Sequence, residues 1–189
     1  MKIDILTIFP EMFDCLRVSL LGKAAENDII SINAVNIRDY SKDKHQKTDD
    51  YTFGGGAGML MMPQPIHDAF LAADPDRKAK RIYMSPKGEK LDQSLVKKLA
   101  KEEHLVLLCG HYEGVDQRVL DLDVDCEISI GDYILTGGEI PAMVLVDAVS
   151  RYVPNVLGSS LSTEEETFEN DLLEYPQYTR PQVFEGMEV

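Results

Sequence analysis

An α/β domain built on a mostly parallel sheet, with helices on both faces, is what the sequence predicts. Three observations carry that expectation. Short apolar, β-branched runs alternate with stretches of helical periodicity. Several of these runs are apolar at nearly every position, as strands covered on both faces are. Glycine-bearing loops follow three of them, in the place where α/β sheets hold their ligands. The length of 189 residues and 44% hydrophobic content suit one domain with a substantial core rather than a disordered, collagen-like or disulfide-framed chain.

Residues 3–9 read as a first strand, and Pro10 then opens a helix with apolar positions at Met12, Phe13, Leu16, Leu20 and Leu21. Residues 29–37 read as a second strand. Residues 38–58 have no apolar periodicity, many charges and four glycines, so a long functional loop is expected. The pattern then gives a helix at 63–73, a strand at 81–84, an amphipathic helix at 91–101 and a buried strand at 105–109. A helix at 115–120, a strand at 126–130 and a well-buried helix at 138–152, with Ile140, Met143, Val144, Val146, Val149 and Tyr152, complete the domain. Beyond Pro154 the chain turns to Ser, Thr and Glu without a core pattern. The expected division is a domain at 1–153 and a linker at 154–189.

No apolar stretch approaches the roughly 20 residues that span a bilayer, and Met1-Lys2-Ile3-Asp4 is unlike a signal peptide. The cytoplasm is the default, with no membrane partner. Cys15, Cys109 and Cys126 are odd in number and lack CxxC spacing, so buried thiols are expected. A net charge of −14 speaks, at first sight, against nucleic acid. However, nine of the 19 Lys and Arg fall within residues 77–101, either as a solvated face or as a phosphate-facing patch.

Three loops could enclose one ligand: Ser85-Pro86-Lys87-Gly88, Gly110-His111-Tyr112-Glu113-Gly114, and the run from Gly131 to Glu139. Glycine lets the backbone approach closely, and Glu113, Asp116 and Asp132 offer acceptors for hydroxyls or a cationic centre. None of the three loops matches GxGxxG or the phosphate loop, and acidic residues disfavour a polyphosphate. A neutral adenosine carrying a positive centre, such as S-adenosylmethionine, suits them better. The stretch containing Asp50, Gly55, Gly56, Gly58 and Met59 fits close contact with a flat substrate or another backbone. His45, His67, His104 and His111 have no metal-like spacing, and structural or surface roles are expected. The acidic run Glu164, Glu165, Glu166, Glu169 and Asp171 reads as a solvated hinge or as a source of a proton acceptor.

Seven ordered blocks go further. They are Ile8-Phe9-Pro10-Glu11-Met12-Phe13, Asp49-Asp50 with residues 54–59, residues 109–116 with Arg118, residues 129–135, Gly137-Gly138-Glu139, Pro141-Ala142-Met143, and Tyr178-Thr179-Arg180-Pro181. Together they closely resemble the bacterial tRNA (guanine-N1)-methyltransferases of the SPOUT class, over essentially the whole chain. The resemblance implies methylation of the guanine at position 37 of tRNA, a deep C-terminal trefoil knot at about 83–140, and an obligate homodimer with composite sites. It implies S-adenosylmethionine contacts at Ser85, Pro86, Gly110, Tyr112, Glu113, Ile130, Gly131, Tyr133, Leu135, Gly138 and Pro141, and a requirement for magnesium. The substrate side falls on Asp50, Gly55, Gly56, Gly58 and Met59, facing the cofactor of the other subunit. Arg151 is the implied catalytic cation and Glu166, where the family has Asp, the implied general base. Thr52 and Phe53 replace the family's Pro and Tyr, and His111 stands where Arg is common. The family continues into a small basic helical domain that grips tRNA, and that domain is expected to be absent after Val189. A knotted S-adenosylmethionine-binding dimer with little tRNA methylation is the alternative.

Overall fold

The computed structural model describes residues 1–157 and 176–189. They belong to two units, Met1–Leu157 and Gly158–Val189. In the first, β1 (Lys2–Thr7) leads through a 3-10 helix (Pro10–Arg17) and α1 (Ser19–Glu26) to β2 (Ser31–Asn36). A second 3-10 helix (Ile37–Tyr40) precedes a small hairpin of β3 (Asp49–Tyr51) and β4 (Met59–Met61), then α2 (Pro63–Ala73). The rest is β5 (Lys80–Lys90), α3 (Gln93–Leu99), β6 (His104–Cys109), α4 (Gln117–Asp123), β7 (Cys126–Ser129) and α5 (Glu139–Ser150). The second unit contributes a two-stranded antiparallel hairpin, β8 (Val183–Phe184) and β9 (Met187–Glu188).

The main sheet is wholly parallel, in the order β2-β1-β6-β5-β7. Successive residues of a strand face opposite sides, and the core divides accordingly. Ile3, Ile5, Ile82, Met84, Leu105 and Leu107 pack with Leu145, Val146 and Val149 of α5 and Val96 and Leu99 of α3. Leu6, Tyr83, Val106 and Leu108 face Ile66, Ala69 and Phe70 of α2 and Val119 of α4. Two covered faces explain why these strands read as unbroken apolar runs. Val153 and Val156 are still buried, and the first unit extends to Leu157.

Several expectations are corrected. The first helix breaks in two, because Val18 is extended and Ser19 takes φ 61°, so Met12 and Leu20 are exposed rather than core. The long loop contains the hairpin of β3 and β4, too short to show a period. The strand expected to stop at Met84 runs on to Lys90. Both Met84 and Glu89 lie opposite Ile128, so Ser85 to Gly88 are an outpouching of a continuing strand. A Cβ on Gly88 would fall 2.3 Å from the Glu127 carbonyl carbon, so glycine is what lets the chain rejoin β7 so closely. Cys15 is exposed, while Cys109 is buried. Ile140 and Val144 leave α5 buried on one side only.

The basic window is not one solvated face. Arg81 is buried, its Nε donating to Asp74 Oδ2 at 2.9 Å and its Nη1 to Asp123 Oδ1 at 3.2 Å. Its guanidinium lies over the Phe70 ring at 5.2 Å. His67 Nδ1 meets Asp123 Oδ2 at 2.7 Å, extending the cluster. Burial alone would raise the Asp74 carboxyl, but the Lys78 N–H and the Arg81 guanidinium outweigh it and hold the group below its ordinary range.

Candidate active site

The carboxyl ends of β5, β6 and β7 point the same way, because all three strands are parallel. Their following segments close on one cavity of about 300 Å³. All eleven residues expected to contact a cofactor line it, although they are spread from Ser85 to Pro141. The enclosure depends on glycine. Gly138 N donates to the Gly110 carbonyl at 2.8 Å, and a Cβ on Gly138 would lie 2.8 Å from Cys109 Cα. The segment before α5 is therefore seated backbone against backbone on the end of β6. Met84 and Ile128 give the cavity apolar wall, and the Tyr83 phenol adds a hydroxyl. Burial first, and Glu127 second, push that phenol up to about 12, so it remains a neutral donor at any working pH.

Of the three expected acceptors, only Glu113 lines the cavity. Asp116 caps α4 by accepting from Arg118 N at 3.0 Å and pairs with the Arg118 guanidinium at 2.7 Å. The Arg118 side-chain hydrogen bond holds its carboxyl below the ordinary range. Asp132 is exposed beside the cavity. Neutral amides, apolar walls and one accessible carboxylate fit an adenosine with a cationic centre. Among the described residues, no three His, Cys, Asp or Glu side chains are grouped to hold a metal ion.

The glycine hairpin of β3 and β4 adjoins this wall in the same chain. Glu113 N donates to the Met59 carbonyl at 3.1 Å and Met61 N to the Gly114 carbonyl at 2.9 Å. Gly58, at φ +78°, lies so near Glu113 that a Cβ would be 2.3 Å from its Cγ. Gly55 and Gly56 form the exposed turn, clasped by Thr52 Oγ1 donating to the Gly55 carbonyl at 2.9 Å. Asp50 is exposed on β3, its Oδ1 accepting from Tyr51 N at 2.9 Å. Phe53 projects fully into solvent.

Arg151 is not brought to this cavity. It caps the far end of α5, whose near end, Gly138 and Pro141, forms the wall. Arg151 follows Pro141 by ten residues, about 15 Å along the helix, more than an arginine side chain spans. Glu166 and its acidic neighbours Glu164, Glu165, Glu169 and Asp171 lie outside the described residues. Sequence reasoning missed Tyr83, Met84 and Ile128 as wall residues, whereas His111 and Gly137, which also line the cavity, belong to loops expected to enclose it. For the first three the signal was strand position, since the last residues of a parallel strand border the crevice.

A glycine-sealed cavity in loops beyond the ends of a parallel sheet fits the class that the seven sequence blocks resemble, the α/β methyltransferases of the SPOUT type. Within it, the family model described as tRNA (Guanine-1)-methyltransferase TrmD matches residues 1–189, and the chain belongs to that family. A tRNA (guanine-N(1)-)-methyltransferase of Ruminiclostridium cellulolyticum is 57% identical over 192 residues, covering 100% of this chain and 82% of that protein. The corresponding protein of Carboxydothermus hydrogenoformans is 57% identical over 190 residues, covering 100% and 75%. The crystal structure of tRNA (m1G37) methyltransferase from Aquifex aeolicus superposes with a TM-score of 0.84 at 37% identity, covering 100% of this chain and 80% of that one. No described helix is long and apolar enough to cross a membrane.

Proposed function

We propose that the chain transfers a methyl group from S-adenosylmethionine to N1 of the guanine at position 37 of tRNA, in the cytoplasm. The observation that carries the reading is the closing of three loops, far apart in sequence, on one glycine-sealed cavity whose only accessible carboxylate among the described residues is Glu113. The donor, when bound, supplies an electrophilic methyl on a sulfonium sulfur. Glu113 balances that positive charge, and the bare backbone at Gly110, Gly131 and Gly138 lets the adenosine lie close against the apolar walls. The packing of Gly138 on Cys109 and Gly110 supports the knotted path of residues 83–140.

Methylating N1 requires loss of its proton, because neutral guanine carries one there. Glu166 is the proposed acceptor of that proton, and Arg151 stabilises the negative charge that gathers on O6. The roughly 15 Å between Arg151 and the cavity of its own chain supports a homodimer in which each site takes donor residues from one protomer and Arg151 and Glu166 from its partner. Exposed apolar side chains of Met12, Ile140 and Val144 support such an association. Asp50, Gly55, Gly56, Gly58 and Met59 are proposed to border the guanine, and the catalytic domain expected at 1–153 is proposed to include the buried turn to Leu157, with the rest of 154–189 the linker.

The test incubates the protein with S-adenosylmethionine, magnesium and a tRNA transcript bearing guanine at 36 and 37, and measures N1-methylguanosine. Chelating magnesium is expected to suppress product. Glu166→Gln should lower kcat by about 100-fold or more with donor affinity unchanged. Full activity in Glu166→Gln together with loss in Glu169→Gln moves the base to the neighbour. Donor binding without product from the unaltered protein leaves the binding-dimer reading instead.

A further inference from the structure

Behind the cavity wall lies a carboxylate with no part in the chemistry above. Glu139, the first residue of α5, is 2% exposed. Its Oε1 accepts from Thr7 Oγ1 at 2.9 Å, at the end of β1. Thr7 Oγ1 in turn accepts from Phe9 N at 2.9 Å. The other oxygen, Oε2, lies 3.8 Å from His111 Nδ1, a buried nitrogen with no hydrogen-bond partner among the described residues. A carboxylate kept from water by one hydroxyl costs stability, and an apolar or amide side chain would serve the core better.

What the position provides is control of the wall. A Cβ on Gly137 would meet Glu139 Oε2 at 2.3 Å and His111 Nδ1 at 2.5 Å. His111 and Gly137 pair as an isolated antiparallel bridge. They line the donor cavity on one side and, on the other, a hollow of about 220 Å³ shared with Glu139. Phe9 packs edge-on against the His111 ring, with centroids 5.1 Å apart. The end of β1 thus reaches the wall by two contacts, Thr7 through Glu139 and Phe9 through His111.

We propose that Glu139 is a positioning residue: tethered to Thr7, its carboxylate holds His111 and the Gly137-Gly138 turn at the spacing that shapes the donor cavity. This rests on reading that cavity as the S-adenosylmethionine site. Calorimetric titration of the full chain with S-adenosylmethionine, with thermal melts and steady-state kinetics alongside, tests both separately. No binding by the unaltered protein fails the cavity reading; normal binding by the variants below overturns the positioning role alone. Glu139→Gln keeps the shape and an acceptor for Thr7 but loses the charge facing His111. It is expected to weaken donor binding and raise the donor KM by about ten-fold, with kcat within about two-fold of the unaltered protein. Thr7→Val, which cuts the tether, should weaken binding by about three-fold, and Thr7→Ser should restore it. Val149→Ala, in the buried face of the same helix, should lower the melting temperature and leave donor affinity alone. Donor affinity within two-fold of the unaltered protein in Thr7→Val, or in a folded Glu139→Gln, overturns the proposal. A loss in Val149→Ala as large as that in Glu139→Gln does the same.

Discussion

The two ends of one parallel sheet treat their buried polar groups in opposite ways. At the amino end, Arg81 is held by Asp74 and Asp123, and Asp4 by Lys2, His104 and Asn33. Each buried charge there is matched by more than one partner. At the carboxyl end, among the described residues, Glu139 has one hydroxyl donor, His111 Nδ1 has no hydrogen-bond partner, and Glu113 faces an open cavity. Groups that satisfy one another do not need a ligand, whereas groups with free hydrogen-bonding capacity can recognise one. Stability and recognition are therefore separated along the strand direction.

That contrast is exposed most severely by Arg81→Ala. It leaves Asp74 and Asp123 buried without their cation and should cost about 3–5 kcal/mol, read as a lowered melting temperature. If Arg81→Ala instead melts within a degree or two of the unaltered protein, the amino end is not the stabilising end. Gly138→Ala tests the opposite edge. Its Cβ would press on Cys109 Cα at 2.8 Å, backbone against backbone. Donor affinity should fall by about ten-fold or more, with a smaller effect on melting than Arg81→Ala has.

The smallest effect is a matter of pH. The Asp74 carboxyl is held below its ordinary range in the folded chain, so the unfolded chain binds that proton first as pH falls. The stability it contributes is present above the unfolded value of about 3.9 and is lost as pH drops through the lower folded value. Melting between pH 5 and pH 2.5 should show this loss, and Asp74→Asn should flatten that part of the curve while lowering stability at neutral pH. Donor binding near neutrality should not respond to it.

How much of this could be read from sequence depended on the range of the interactions involved. Helix α2 was legible to the residue, because Pro63 and the apolar period are local signals. So were the buried strands 105–109 and 126–130 to within a residue or two. The continuation of β5 was hidden because Pro86 and Gly88 are local terminators, while the pairing of Glu89 and Lys90 with β7 is a contact some 40 residues away. The eleven cavity residues were legible as motif positions. Glu139 was visible only as part of Gly137-Gly138-Glu139, since its partner Thr7 lies 132 residues away. Arg81 sat in a basic run, and only the fold separates it from its exposed neighbours.

The outpouching of β5 has one more consequence. Ile128 faces Met84 before the excursion and Glu89 after it, so the ladder resumes at the rung where it paused. The number of residues between those two can change without shifting a single later pairing. Residues 85–88 thus act as an adjustable link in an otherwise fixed frame. A lineage could enlarge or shrink the mouth of the cavity there by insertion or deletion, leaving the sheet to fold as before.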